Sequence, residues 1–154
     1  MSTGTDVPEL NKQEGKIKIF KISMYILSIL YLGGALFFFF IPDGVYYILN
    51  FPPIFLKILT PLPEKNTDFF WLPLVGSLMV VLSLLAYFSA RDPKNKSLIN
   101  LHIISKLISS LGYLYLFIFS SQIFGYIVGF ALDLLICLYV LYLKISIGKA
   151  TETE

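Results

Sequence analysis

A single cysteine, Cys137, rules out an intrachain disulfide, a zinc site built from several cysteines and a CxxC redox pair. A single histidine, His102, removes any two-histidine metal or haem arrangement within one chain. Charge is scarce as well. Asp, Glu, Lys and Arg make up 14% of the residues, against about 25% in a typical soluble domain. A soluble chain this poor in charge has too little polar surface to cover itself. The net charge of +2 is too small to point to nucleic acid. No internal repeat is present, and no metal or cofactor is expected from the residue types available.

Apolar sequence is abundant: 56% of the 154 residues are hydrophobic. It is gathered into four uncharged or nearly uncharged runs, at 22–41, 69–90, 98–119 and 123–143. At about 1.5 Å of rise per residue, each matches the ~30 Å hydrocarbon layer of a bilayer. The first run is too long for the core of a signal peptide. It also ends in Phe37-Phe38-Phe39-Phe40, a poor cleavage context. Residues 1–15 read as a flexible polar tail and 146–154 as a second tail, flanking one membrane domain over 16–145.

The connection from Pro42 to Asp68 is apolar but carries Pro52, Pro53, Pro61 and Pro63. Proline removes an amide donor and breaks helix interiors, so this stretch is not expected to span. Short helices near Val45–Asn50 and Ile54–Leu59 are expected, lying at the membrane surface or capping the bundle. Only Ser120-Ser121-Gln122 separates the third and fourth runs, which predicts a tight hairpin. The expected fold is therefore all-α: an integral membrane, antiparallel bundle of four transmembrane helices, with an interfacial apolar segment between the first two.

The cations set the orientation. Four crossings put Lys12, Lys16, Lys18, Lys21, Arg91, Lys94, Lys96, Lys144 and Lys149 on one side, and only Lys57 and Lys65 on the other. The positive-inside rule then predicts a multi-pass protein with both termini in the cytoplasm; the membrane is expected to be a bacterial inner membrane.

Within the runs, Lys106 and Asp133 are the strongest functional signal. A charge at the centre of a span costs about 2.5–3.5 kcal/mol, so it needs a partner or a water-filled site. The two residues lie on the two arms of the hairpin at similar depth, although each side chain leans toward its own helix N-terminus, which draws them apart. Three readings stay open: a structural ion pair, a ligand or proton site, or two separate groups. His102, Ser105, Lys106, Ser109 and Gly112 share one face of a helix by spacing. Gly125, Gly129 and Asp133 recur at every fourth position, and the two glycines form a GxxxG match that lets helices approach closely. His102 reads either as a proton relay to Lys106 or as an interfacial histidine bonded to backbone or headgroup. Cys137 reads as a small packing residue.

Aromatic residues gather at both ends of the spans: Tyr87, Phe88, Tyr139 and Tyr142 at one, Tyr46, Tyr47, Phe69, Phe70 and Trp71 at the other. They read as interfacial belts. A flat lipid or quinone pocket under the 42–68 segment is the functional alternative.

Tyr31-Leu32-Gly33-Gly34 in a first span ending at Ile41-Pro42, a semi-apolar outer connection and three further spans in quick succession carry a resemblance. The layout resembles small four-helix bacterial membrane proteins of the DoxX-like kind, over most of Ile22 to Leu143. Among proteins of that kind, roles are mostly unassigned or accessory to redox and thiol metabolism, so the resemblance implies little about function and transfers no functional residue.

Two function classes follow. The first is an accessory protein that binds a hydrophobic small molecule, membrane lipid, a partner subunit or a second copy of itself. The second is a membrane-embedded enzyme or proton-coupled carrier that uses Lys106, Asp133 and His102.

Overall fold

The computed structural model describes residues 6–57, 71–120 and 122–151, and among these every regular element is a helix. They are α1 (Asp6–Phe40), α2 (Pro42–Phe55), α3 (Trp71–Arg91), α4 (Lys96–Phe119) and α5 (Phe124–Thr151). Four are long and apolar enough to cross a membrane: α3, α4, Gln13–Phe40 within α1, and Phe124–Gly148 within α5. The expected start of the second span at Phe69 and Phe70, together with Pro61, Pro63 and Lys65, lies outside the described residues.

α1 begins well before the expected span. Residues 6–15, expected to form a flexible tail, are helical. Pro8 falls in the first turn, where a missing amide costs nothing, and no proline follows until Pro42. α5 likewise continues through residues 146–151 of the expected second tail, because its apolar stripe does not stop at Leu143. Val140, Leu143 and Ile147 are all buried.

α1 stops at Ile41. A residue before proline is pushed out of the helical region, and Ile41 sits at φ −135°, ψ 61°. Pro42 then opens α2 at a first-turn position. The Gly44 amide donates to the Ile41 carbonyl at 2.9 Å, and the Phe37 ring lies 2.6 Å from where a Cβ on Gly44 would be. A Cβ at this position would have to displace the Phe37 ring and the Ile41 side chain. α2 packs on α1 and on α5.

One expectation for this segment is overturned. Instead of two short helices broken at Pro52-Pro53, a single helix runs through both prolines. They lie in its last turn, where each removes an amide and crowds the carbonyl four residues back, so they weaken the end of α2 without breaking it in two. The Leu56 amide donates to the Pro52 carbonyl at 2.9 Å. Lys57, at φ 54°, then turns the chain out of the helix.

α1 packs along α3, and α4 along α5. Paired residues run in opposite chain order in both cases. In the first pair, Tyr25 meets Tyr87, Ser28 meets Ser83 and Phe38 meets Trp71. In the second, Asn100 meets Lys144 and Ser110 meets Phe130. Two glycines let α1 and α3 approach: Met79 lies over Gly34 and Phe39 over Gly76, each where a Cβ would otherwise stand. Ser83 Oγ donates to the Ser28 carbonyl at 2.8 Å. Its single proton is thereby used, so Ser28 Oγ donates to Ser83 Oγ at 3.0 Å.

The two pairs join through an apolar core built from Phe20, Met24, Ala86, Ala90, Ile99, Val140, Leu143 and Ile147. This core lies at the end of the molecule that carries the 92–95 turn. There Asn95 caps α4, its side chain accepting from the Leu98 amide at 3.4 Å. The opposite faces of the long helices stay apolar and exposed, as at Ile29, Leu74, Ile108 and Leu135. Apolar side chains gain nothing by leaving lipid for protein. Helix association here therefore rests on close packing and interhelical hydrogen bonds rather than on the hydrophobic effect.

Candidate functional site

Tyr31, His102, Lys106 and Asp133 converge between α1, α4 and α5. α4 presents Ile99, His102, Lys106 and Ser110 at successive three- and four-residue steps, and all four are buried. α5 presents Gly125, Asp133 and Cys137 at four-residue multiples, also buried. Lys106 Nζ donates to Asp133 Oδ1 at 2.7 Å, with the two side chains 10% and 13% exposed. The distance is that of a strong charge-assisted hydrogen bond. Ser110 Oγ donates to the Phe130 carbonyl at 3.2 Å, and Cys137 Sγ to the Ile103 carbonyl at 3.6 Å.

α1 contributes a residue that spacing on α4 and α5 does not reveal. Tyr31 places its hydroxyl 3.0 Å from His102 Nε2, and Lys106 Nζ stands 4.9 Å above the centroid of its ring. The tyrosine thus bonds the histidine through its edge and holds the ammonium over its face, where the negative π cloud attracts a cation. Through these contacts Tyr31, His102, Lys106 and Asp133 form one cluster.

Bond counting assigns the proton on His102. His102 Nδ1 is buried without a partner among the described residues. If Nε2 donated to Tyr31, both the tyrosine proton and the Nδ1 lone pair would lack a partner. If Tyr31 donates to Nε2, only the Nδ1–H is left over. The second arrangement strands fewer buried groups and is the lower in energy.

The expected site residues divide accordingly. Lys106, Asp133 and His102 come together. His102, however, is fully buried and bonded to Tyr31, neither at a headgroup surface nor hydrogen-bonded to Lys106. Ser105 and Ser109 are only partly buried. It is Ser110, one full turn beyond Lys106, that reaches across to α5. Of the packing glycines, Gly125 is buried, and Gly129 lies under the Tyr113 ring, 2.9 Å from where its Cβ would be. Gly112 is exposed and has open space around it. Sequence reasoning missed Tyr31 and Ser110. A signal for Tyr31 was available, since it stands mid-span rather than in a terminal aromatic belt. In those belts, Tyr139 also bonds Ser23 on α1 at 2.7 Å, and Trp71 packs edge-on against Phe38.

Among the described residues, no group of three or more His, Cys, Asp or Glu is placed to hold a metal ion. No protein-family model, curated protein or solved structure matches this chain.

Proposed function

We propose that the protein is an antiparallel four-helix bundle of the inner membrane, with both termini cytoplasmic and α2 in the outer interface, that binds an amphipathic hydrophobic molecule of the lipid or quinone class as an accessory protein. One observation carries the reading. The mid-span pair keeps a small exposure, Lys106 8% and Asp133 9%, while Phe20, Met24, Ala86, Ala90, Ile99 and Val140 toward the 92–95 turn have none. On the other side of the pair, α4 has no buried residue beyond Ser110, and Tyr113 and Tyr126 stand beside each other with ring centroids 6.5 Å apart. A polar head against Lys106 and Asp133, with an apolar body along Tyr113 and the exposed half of α4, fits that arrangement.

The test is mass spectrometry of small molecules that copurify with the protein. A quinone or single lipid species retained in stoichiometric amount, and lost from Asp133→Asn, is the expected result. Bulk lipid alone in the wild-type protein overturns the reading.

A second reading, a proton-coupled carrier or membrane-embedded enzyme, is favoured by the Tyr31–His102 bond placed beside the ion pair. Its discriminating experiment is the charge exchange Lys106→Asp with Asp133→Lys. Recovery of folded protein without recovery of a cellular phenotype supports chemistry at the pair. Recovery of both marks a purely structural one.

A further inference from the structure

A second site lies at the surface, where α1 and α3 leave the apolar part of their spans. Lys18 and Lys21 are the last charges before the uncharged stretch of α1, and Arg91 is the first after that of α3. All three are exposed. An open groove is lined by Glu14, Ile17, Lys18, Lys21, Ile22 and Tyr25. Tyr25 meets Tyr87 of α3 edge-on, with centroids 5.8 Å apart, and the Arg91 guanidinium lies 6.0 Å from the Tyr87 ring. The two tyrosines therefore tie cations from two different helices into one face. From this face an exposed apolar strip continues along α1 through Ile22, Ile26 and Ile29.

We propose that this face binds one anionic phospholipid, its phosphate between Lys18, Lys21 and Arg91 and an acyl chain along Ile22, Ile26 and Ile29. The charges stand where the uncharged stretches of α1 and α3 end, the level at which a lipid phosphate meets a spanning helix. The strip beside them is parallel to the span, as an acyl chain is. Two carboxylates are near in sequence. Glu14 is one turn on the water side of Lys18, and Asp92 follows Arg91 at the end of α3, so both lie beyond the boundary cations. The three cations outnumber them, which favours an anionic over a zwitterionic headgroup. Each basic group at the surface of an anionic membrane contributes about 1 kcal/mol, or roughly fivefold in affinity. This site is independent of the buried Lys106–Asp133 pair and of the orientation of the protein.

The experiment places the full chain in detergent with phosphatidylglycerol or phosphatidylcholine and measures retained lipid by native mass spectrometry. The wild-type protein is expected to retain one phosphatidylglycerol in preference to phosphatidylcholine. The variant Lys18→Gln/Lys21→Gln/Arg91→Gln is expected to lose that preference, by roughly fivefold for each charge removed. The variant Lys94→Gln/Lys96→Gln/Lys144→Gln removes the same charge elsewhere and is expected to keep it. No preference in the wild-type protein overturns the proposal, as does equal loss in both variants, which marks a net-charge effect. Photoreactive phosphatidylglycerol on the unmodified protein provides a readout that does not depend on a variant folding. Cross-links within residues 17–29 and 84–91 support the site, and cross-links spread evenly over the spans overturn it. Failure of lipid selectivity together with capture of an acidic peptide at this face would show a protein partner instead.

Discussion

The ammonium of Lys106 donates to Asp133 across 2.7 Å between α4 and α5, in the middle of two helices long enough to span a membrane. Removing one partner leaves the other charged and unpaired in an apolar surround, which costs about 3–5 kcal/mol for a buried pair. Lys106→Leu or Asp133→Leu alone is therefore expected to reduce monodisperse, folded protein severely on size-exclusion chromatography. The exchange of the two residues is expected to restore most of it. Normal yield from both single variants would show that the pair does not stabilise the fold.

Tyr31 and His102 make a different kind of prediction. Tyr31→Phe keeps the ring under Lys106 but strips His102 Nε2 of its partner, a loss of about 1–3 kcal/mol for a buried polar group. Replacing both partners by apolar groups is expected to cost less than the single change does. Tyr31→Phe with His102→Leu should thus be more stable than Tyr31→Phe alone, as read by thermal unfolding in detergent. Strict additivity of the two changes would contradict a direct bond.

The glycines separate by what surrounds them. Gly112→Ala meets open space, so it is expected to be neutral or to stabilise by up to about 1 kcal/mol through helix propensity. Gly129→Leu drives a side chain into Tyr113 and is expected to cost about 1–3 kcal/mol by overpacking. Unfolding temperatures of the two variants measured together decide the point. Equal effects would mean that α4 and α5 do not meet at Gly129.

Topology can be read with the one native thiol as control. Cys137 is 4% exposed and is expected to resist a membrane-impermeant maleimide. Lys94→Cys, in the exposed turn between α3 and α4, and Lys57→Cys, just past α2, are expected to label from opposite faces of sealed vesicles. Labelling of both from one face would eliminate the four-crossing arrangement.

How far the sequence reaches can be judged residue by residue. The apolar runs, the short link between the last two helices, and the charged residues inside the spans were legible, because each follows from a cost local to the chain. Backbone and charge cannot enter lipid unsatisfied, whatever the fold. Helical spacing puts Gly125, Gly129 and Asp133 on one side of α5, and in the structure Gly129 lies under Tyr113 and Asp133 meets Lys106. Spacing was less reliable on α4. His102 and Lys106 are compatible with either Ser109 or Ser110 on the same face, and only the partner helix selects Ser110. The prolines of α2 misled, because a proline pair weakens a helix without always ending it.

What the chain determined by itself, then, was four helices long and apolar enough to cross a membrane and the presence of a buried charge that required an answer. Tertiary structure alone decided that the answer includes Tyr31, that Gly34 and Gly76 are close-contact glycines while Gly112 is not, and that His102 is sealed in the interior. Those outcomes depend on contacts between helices distant in sequence. In a chain whose faces are apolar almost all round, periodicity does not mark which side meets protein and which meets lipid.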